Sequence, residues 1–173
     1  GLQPTAARKV RELNISGVNL SREYRRYYPA GEVTGHLLGF TDIDDTGQEG
    51  VELAFDHWLG GEDGAKRVIQ DSQGNKVEDV ESIRAVRPGR ELRLSVDLRL
   101  QYLAYRELKA AIRDNRARSG SVVLIDVRSG EVLAMVNQPA FNPNDRSQFD
   151  PGTYRNRAAT DLFEPGSSIK PVF

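Results

Sequence analysis

Two residues near the end of this chain have types and spacing suited to chemistry: Ser167 and Lys170, within the run Glu164-Pro165-Gly166-Ser167-Ser168-Ile169-Lys170-Pro171. The Pro-Gly break predicts a helix that begins near residues 166–168, and Pro171 fits, because proline is tolerated mainly in a first helical turn. On that helix residues i and i+3 share a face, with Cβ atoms about 5–6 Å apart, so the lysine amine reaches the serine hydroxyl. A serine hydroxyl is a weak nucleophile until a neighbouring base takes its proton, and a desolvated amine can do so. The start of the helix adds unpaired N–H groups and the positive end of the dipole, which stabilise an oxyanion on an attacked carbonyl. The implied chemistry is acyl transfer through a seryl intermediate. The tetrapeptide alone is common, and its plainer meaning is a surface helix capped by Ser167 with Lys170 in water, so the rest of the chain has to decide.

The elements that must position this pair fall on either side of residue 95. Before it, Ala6, Val10 and Leu13 give a short helical pattern, and residues 18–28 read as extended up to Pro29-Ala30-Gly31. Val51, Phe55, Trp58 and Leu59 recur at helical spacing and stop at Gly60-Gly61, predicting one amphipathic helix over residues 49–59. Residues 65–71 and 76–81 flank Ser72-Gln73-Gly74-Asn75 and predict a hairpin; after Arg87-Pro88-Gly89-Arg90 a strand is expected over 91–96. Beyond the seam, Asp97 is placed to cap a long helix to about Asp114, with an apolar stripe of Leu100, Leu103, Ala104, Leu108 and Ala111. Strands over 121–127 and 131–137 follow, joined by Arg128-Ser129-Gly130. The stretch from 138 to 153 contains Pro139, Pro143 and Pro151 and has no periodicity, so its order must come from packing.

Composition removes several functions. With 24 basic and 25 acidic residues among 173, a net charge of −1 gives nucleic acid or an anionic membrane no electrostatic purchase. In the mixed run Arg22, Tyr24, Arg25, Arg26, Tyr27 and Tyr28, strand alternation would send neighbours to opposite faces, which argues against a nucleic-acid surface and leaves structural ion pairs as the better reading of its arginines. Zero cysteines exclude disulfides and thiolate metal sites without choosing a compartment. Asp42, Asp44 and Gly47 imitate the start of a calcium loop, but Leu53 stands at its twelfth position where a Glu is required; an Asp-rich turn suffices. Gly31, Gly35 and Gly39 read as turn and close-packing glycines. His36 and His57 do not make a zinc site, although a Ser-His-Asp triad through one of them stays open because triad members need not be adjacent. Arg155-Asn156-Arg157-Ala158 is either a device that orients the segment before Ser167 or a solvated basic face. No metal or organic cofactor is expected.

Five segments in order carry a resemblance over nearly the whole chain: Arg25-Arg26-Tyr27-Tyr28-Pro29-Ala30-Gly31-Glu32, Gly47-Gln48-Glu49-Gly50-Val51-Glu52, Ser119 through Asp126, Ser129-Gly130-Glu131-Val132-Leu133-Ala134-Met135, and Phe163 through Pro171. Together they resemble the class B penicillin-binding proteins, and among them the division-specific peptidoglycan D,D-transpeptidases. The resemblance implies an α+β fold. A pedestal (dimerisation-type) domain of strands and short helices over 1–95 would precede the incomplete start of a transpeptidase domain over 96–173, with helices packed on an antiparallel sheet. It implies that Ser167 is the nucleophile and Lys170 its base, that stem peptides ending in D-Ala-D-Ala and β-lactam antibiotics are the acyl donors, and that a septal glycan polymerase and other division proteins are partners. Whether the lysine alone is the acylation base is disputed for S-x-x-K enzymes. A non-catalytic scaffold that docks division partners, or a related β-lactamase or β-lactam sensor, would share parts of this pattern; the pedestal-like first half argues against a β-lactamase.

The resemblance also implies a place at the periplasmic face of the bacterial inner membrane, held there by an N-terminal helix that this sequence does not include. The S-x-N and K-T-G motifs that the family carries after S-x-x-K are likewise absent from residues 1–173. The isolated chain is therefore expected to bind no β-lactam covalently and to be poorly ordered after about residue 138 unless a second chain or a further segment completes the domain.

Overall fold

Asp97 turns an extended stretch into the longest helix of the molecule: its Oδ1 accepts from Arg99 N at 2.8 Å, and helix α5 runs Leu98–Asp114. This is a computed structural model, and it describes residues 4–18, 20, 25–70, 76–145, 147 and 150–164. Before α5 come α1 (Pro4–Glu12), a 3₁₀ turn (Gly31–Val33), α2 (Gly35–Leu38), α3 (Gly50–Ala54), α4 (Asp56–Leu59) and the antiparallel pair β1 (Ala65–Gln70) and β2 (Lys76–Arg84). After it come the antiparallel pair β3 (Gly120–Ile125) and β4 (Val132–Gln138), then α6 (Pro151–Tyr154) and α7 (Arg157–Thr160). Helices packed on antiparallel strands make the α+β architecture expected from the sequence. The expected turn at 72–75 lies outside the described residues.

Three local expectations are corrected. The helix expected over 49–59 is two helices, because Phe55 leaves helical geometry at φ −120°, ψ 24°, and the next residue, Asp56, accepts from Gly47 N at 2.7 Å. The residue buried there is Glu52, while Phe55 and Trp58 of the expected apolar stripe stay partly exposed. No strand forms over 91–96. Its alternation is right, but a strand needs a ladder, and among the described residues this segment makes isolated bonds instead, Trp58 Nε1→Glu91 O at 3.2 Å and Ser95 Oγ→Val132 O at 2.7 Å, with Asp97 N→Leu133 O at 3.0 Å just beyond it. On α5 the buried positions are Gln101 and Tyr105, with Leu108 and Ile112 half-buried below them; Leu103 of the expected stripe is exposed.

The core lies where the first half of the chain meets the loop after β4. Tyr28, Phe40 and Phe141 are buried together, with Tyr154 and Leu38 against them. Their rings meet edge to face, Phe40–Phe141 at 6.0 Å and Phe40–Tyr154 at 5.2 Å, the arrangement the ring quadrupoles favour. Gly35 permits this contact, since a Cβ there would lie 2.7 Å from Phe141 O. Gly39, at φ +76°, places its backbone where a Cβ would fall 1.7 Å from Glu49 O. Both are the close-packing glycines anticipated from the sequence.

Side-chain amides then lock the two halves of the chain to each other. Asn144 accepts from Tyr28 N at 3.0 Å and donates to Tyr28 O at 2.8 Å, while Arg25 Nη2 donates to Asn144 O. Gln101 Oε1 accepts from Met135 N, and its Nε2 donates to Met135 O and Val33 O, all at 2.8 Å. The Gln101 amide thus serves Met135 as one rung of a neighbouring strand would, and a wholly buried polar side chain is accommodated because each of its groups is bonded. Arg26 reaches the buried Glu52 with two bonds of 2.7 and 3.0 Å, the carboxylate partner expected for this arginine run. Arg25, by contrast, finds a carbonyl.

Candidate active site

The segment leading to Ser167 is built on the end of β4. Strand alternation buries Ala134 and Val136, and the burial continues through Asn137 and Gln138, where the chain leaves the strand by a cis Gln138–Pro139 bond. Asn137 is 1% exposed and its amide has three partners. Its Oδ1 accepts from Ser121 Oγ at 2.6 Å and from Ala158 N at 2.9 Å, and its Nδ2 donates to Asn156 Oδ1 at 2.8 Å. Because a backbone N–H can only donate, Ala158 fixes which end of the Asn137 amide is oxygen. The rest of the polarity follows, and Asn156 Nδ2 is left to meet Met135 Sδ at 3.3 Å. One amide thereby ties β3, β4 and the first turn of α7 into a unit.

The loop between β4 and α7 is anchored from the other half of the chain. Asp150 caps α6 by accepting from Gly152 N at 2.9 Å, with Pro151 at the first helical position. His36, 5% exposed, sets its Nε2 2.7 Å from Thr153 O and its ring edge-on to Phe141 at 5.1 Å. Burial holds the His36 imidazole below its usual pKa, and the nearby Arg157 charge acts in the same direction, against the bond to Thr153 O. A neutral ring with Nε2–H donating to the carbonyl satisfies this geometry. His36 is thus committed to the backbone of the loop, a structural role rather than that of a triad base.

Arg155 and Arg157 close on one carboxylate. Arg155 Nη2 lies 2.8 Å from Asp161 Oδ1, Arg157 Nη1 lies 3.1 Å from Asp161 Oδ2, and Arg157 Nη2 also donates to Gly152 O at 2.8 Å. Of the two meanings left open for this basic run, the pairing supports orientation of the segment: Arg157 straps α7 to the end of α6. After Asp161 the chain emerges, with Leu162 and Phe163 exposed. Ser167 and Lys170 lie outside the described residues.

Asn137, Gln101 and Asn144 were not singled out from the sequence. The available signal for Asn137 was a polar residue at the end of an apolar strand, directly before Gln138-Pro139. For Gln101 it was an amide on the inner side of a helix whose neighbours one turn on are apolar. Among the described residues no group of three or more His, Asp or Glu side chains is placed to hold a metal ion.

Two family descriptions match this chain: the penicillin-binding protein dimerisation domain over residues 2–94 and the penicillin-binding protein transpeptidase domain over residues 120–173. The chain is 49% identical over 171 residues to the peptidoglycan D,D-transpeptidase FtsI of Escherichia coli K12, an alignment covering 99% of this chain and 29% of that protein. It is 46% identical over 171 residues to the probable peptidoglycan D,D-transpeptidase PbpC of Pseudomonas aeruginosa, covering 99% of this chain and 30% of the other. Among solved structures, penicillin-binding protein 3 of Mycobacterium tuberculosis superposes with a TM-score of 0.70 at 29% identity, over 85% of this chain and 30% of that one. The chain thus spans a little under a third of the length of the curated relatives it matches. It belongs to the penicillin-binding proteins, and it joins a dimerisation-domain segment to a transpeptidase-domain segment.

Proposed function

We propose that the full-length protein is a peptidoglycan D,D-transpeptidase of septal wall synthesis, with Ser167 as nucleophile and Lys170 as its base. The observation that carries this reading is that the S-x-x-K run falls inside residues 120–173, the span matched by the transpeptidase domain. The platform before it, Asn137 through Asp161, is bonded to the sheet and to the N-terminal half, as a segment that must present a nucleophile in one place requires.

In this reading Ser167 Oγ attacks the carbonyl of the penultimate D-Ala of a stem peptide while Lys170 Nζ takes the hydroxyl proton. The oxyanion is met by the backbone N–H of Ser167 at the helix start. Collapse breaks the C–N bond, the Lys170 Nζ proton passes to the nitrogen of the departing terminal D-Ala, and an acyl-serine is left. An amine of a neighbouring stem then attacks that ester, forming the cross-link and returning the hydroxyl. A β-lactam imitates the D-Ala-D-Ala end and acylates the same serine, with the ring amide bond broken in place of the peptide bond. No metal or organic cofactor enters.

Residues 1–95 form the pedestal and 96–173 belong to the catalytic domain. The start of α5 at Leu98, after a stretch without regular structure, supports that seam. No helix among the described residues is long and apolar enough to cross a membrane. In this reading a helix outside the 173 residues anchors the protein at the periplasmic face of the inner membrane, where a septal glycan polymerase and other division proteins are its partners.

The test is covalent labelling of the full-length protein by a fluorescent penicillin. Ser167→Ala is expected to abolish labelling while leaving the melting temperature unchanged. Labelling that persists would place the nucleophile elsewhere.

A further inference from the structure

We infer that Asn137 is a positioning residue for the acyl-transfer step: its side-chain amide sets the placement of α7, the last described helix before Ser167, which follows Ala158 by nine residues in the sequence. The inference rests on the assignment of Ser167 under the proposed function.

Helix α7 has only four residues, too few to be stable by its own hydrogen bonds, so its position must come from outside. The cap residue Asn156 makes no side-chain bond to the helix backbone, which leaves the first N–H groups of α7 in need of an acceptor. Asn137 Oδ1 supplies one at Ala158 N, and Asn137 Nδ2 simultaneously holds the Asn156 side chain. Ser121 Oγ, donating from β3, keeps the same oxygen in line. The Asn137 amide accepts from α7 with its oxygen while its nitrogen donates to Asn156. At 1% exposure no water can replace it without the pocket opening.

The surrounding charges do not compete for this site. Arg155, Arg157 and Asp161, on the flanks of α7, pair with one another. His36 is spent on Thr153 O, and the α5 residues turned inward are Gln101 and Tyr105. Asn137 is thus the point at which the sheet grips the helix. Displacing a nucleophile by about 1 Å costs about a hundredfold in rate, while a preformed binding surface elsewhere is little affected.

The experiment uses the full-length protein and compares wild type with Asn137→Leu, Asn137→Asp and Ser121→Ala. For each, the acylation rate constant and the preceding non-covalent affinity for a penicillin are measured separately across pH, and hydrogen exchange is followed over residues 156–160. Asn137→Leu is expected to slow acylation about a hundredfold with non-covalent affinity within threefold of wild type, and to speed exchange at Ala158. Ser121→Ala, which leaves both other bonds in place, is expected to slow acylation no more than about fivefold.

The aspartate variant keeps the Asn137 story testable even if the leucine variant fails to fold. A protonated carboxyl at this buried position accepts from Ala158 N and donates to Asn156, as the amide does; an ionised one faces Asn156 Oδ1 with a second acceptor. Its acylation rate divided by that of wild type, a ratio that removes the titration of Lys170, is therefore expected to be near one in acid and to fall at least tenfold as pH rises. A ratio that does not change with pH, or a leucine variant that folds and acylates at the wild-type rate, would overturn the inference. So would exchange at Ala158 that the substitutions leave untouched. Absence of wild-type labelling at Ser167 would instead count against the transpeptidase reading, and the exchange result would still decide the role of Asn137.

Discussion

The two antiparallel hairpins obey the same pairing rules and end in different circumstances. Hairpin β1–β2 pairs Ala65 with Arg84 at its base and Gln70 with Lys76 near its tip, with register irregularities at three places. Hairpin β3–β4 runs from Gly120 opposite Gln138 to Ile125 opposite Val132 with only one. Both faces of β4 are engaged: α5 and α7 pack on it, Gln101 bonds its backbone at Met135, and Asn137 bonds α7. Among the described residues neither strand of the first hairpin packs on a helix in this way, and Ile69 and Ile83 are more than half exposed. Pairing alone therefore leaves the register loose. Cover fixes it, because a one-residue slip in β4 would turn Ala134 and Val136 out of the core and leave Gln101 and Asn137 without partners. The covered hairpin is the one that precedes Ser167, the proposed nucleophile, in the chain.

The comparison breaks most severely at Gln101. Gln101→Leu keeps the volume but leaves Met135 N, Met135 O and Val33 O without their partner in a site closed to water, and this is expected to cost about 3 kcal/mol. In thermal unfolding of the full-length protein the transition of the catalytic half should move down by several degrees. A shift of less than one degree would show that water or a rearranged strand replaces the amide, and that β4 does not need Gln101 for its register.

What could be read from the sequence follows from the range of the interactions. Asp97 and its helix, the turn at 126–130 and the strand pairs within 65–84 and 120–138 rest on partners inside the same helix, turn or hairpin, and their chemistry is written locally. Arg26 was expected to find a carboxylate, but not that Glu52 would be it. The helix over 49–59 was misjudged because its break is tied to Gly47 through Asp56, and the strand over 91–96 because no ladder was waiting for it. Gln101 bonds residues 34 and 68 positions away, and Asn144 bonds a residue 116 positions away. Such amides look like surface residues until the fold supplies their partners. For the proposed site, residue types at Ser167 and Lys170 could be read directly, whereas the bonding of the segment before them, residues 137–161, could not, since it rests on long-range bonds.

A smaller effect tests the anchoring of the loop beyond the covered hairpin. His36 is buried against Phe141 with Nε2 on Thr153 O, and its folded pKa lies below the ordinary value of 6.5. The unfolded chain therefore takes up a proton first as pH falls, so the contribution of neutral His36 is complete above about pH 6.5 and is lost below it, down to the folded pKa. The melting temperature should fall between about pH 7 and pH 5, and His36→Gln, which keeps a donor near Thr153 O without a titrating ring, should flatten that part of the profile. Identical profiles for the two proteins would assign the acid sensitivity to other groups.

The smallest effect belongs to the uncovered hairpin. Ile83, near the end of β2, is 59% exposed, and Ile83→Thr exchanges one β-branched side chain for another, so the strand preference is kept and little apolar burial is lost. Exposed positions of this kind change stability by no more than about 0.5 kcal/mol. The related exchange Val136→Thr, at a residue 3% exposed on β4, places a hydroxyl in the core and is expected to cost about 2 kcal/mol. Measuring both substitutions in the full-length protein isolates cover as the variable, because chemistry and strand type are nearly matched. A ratio near one between the two losses would mean that the first hairpin is covered by something beyond the described residues, and the contrast drawn between the hairpins would then be one of partners rather than of packing.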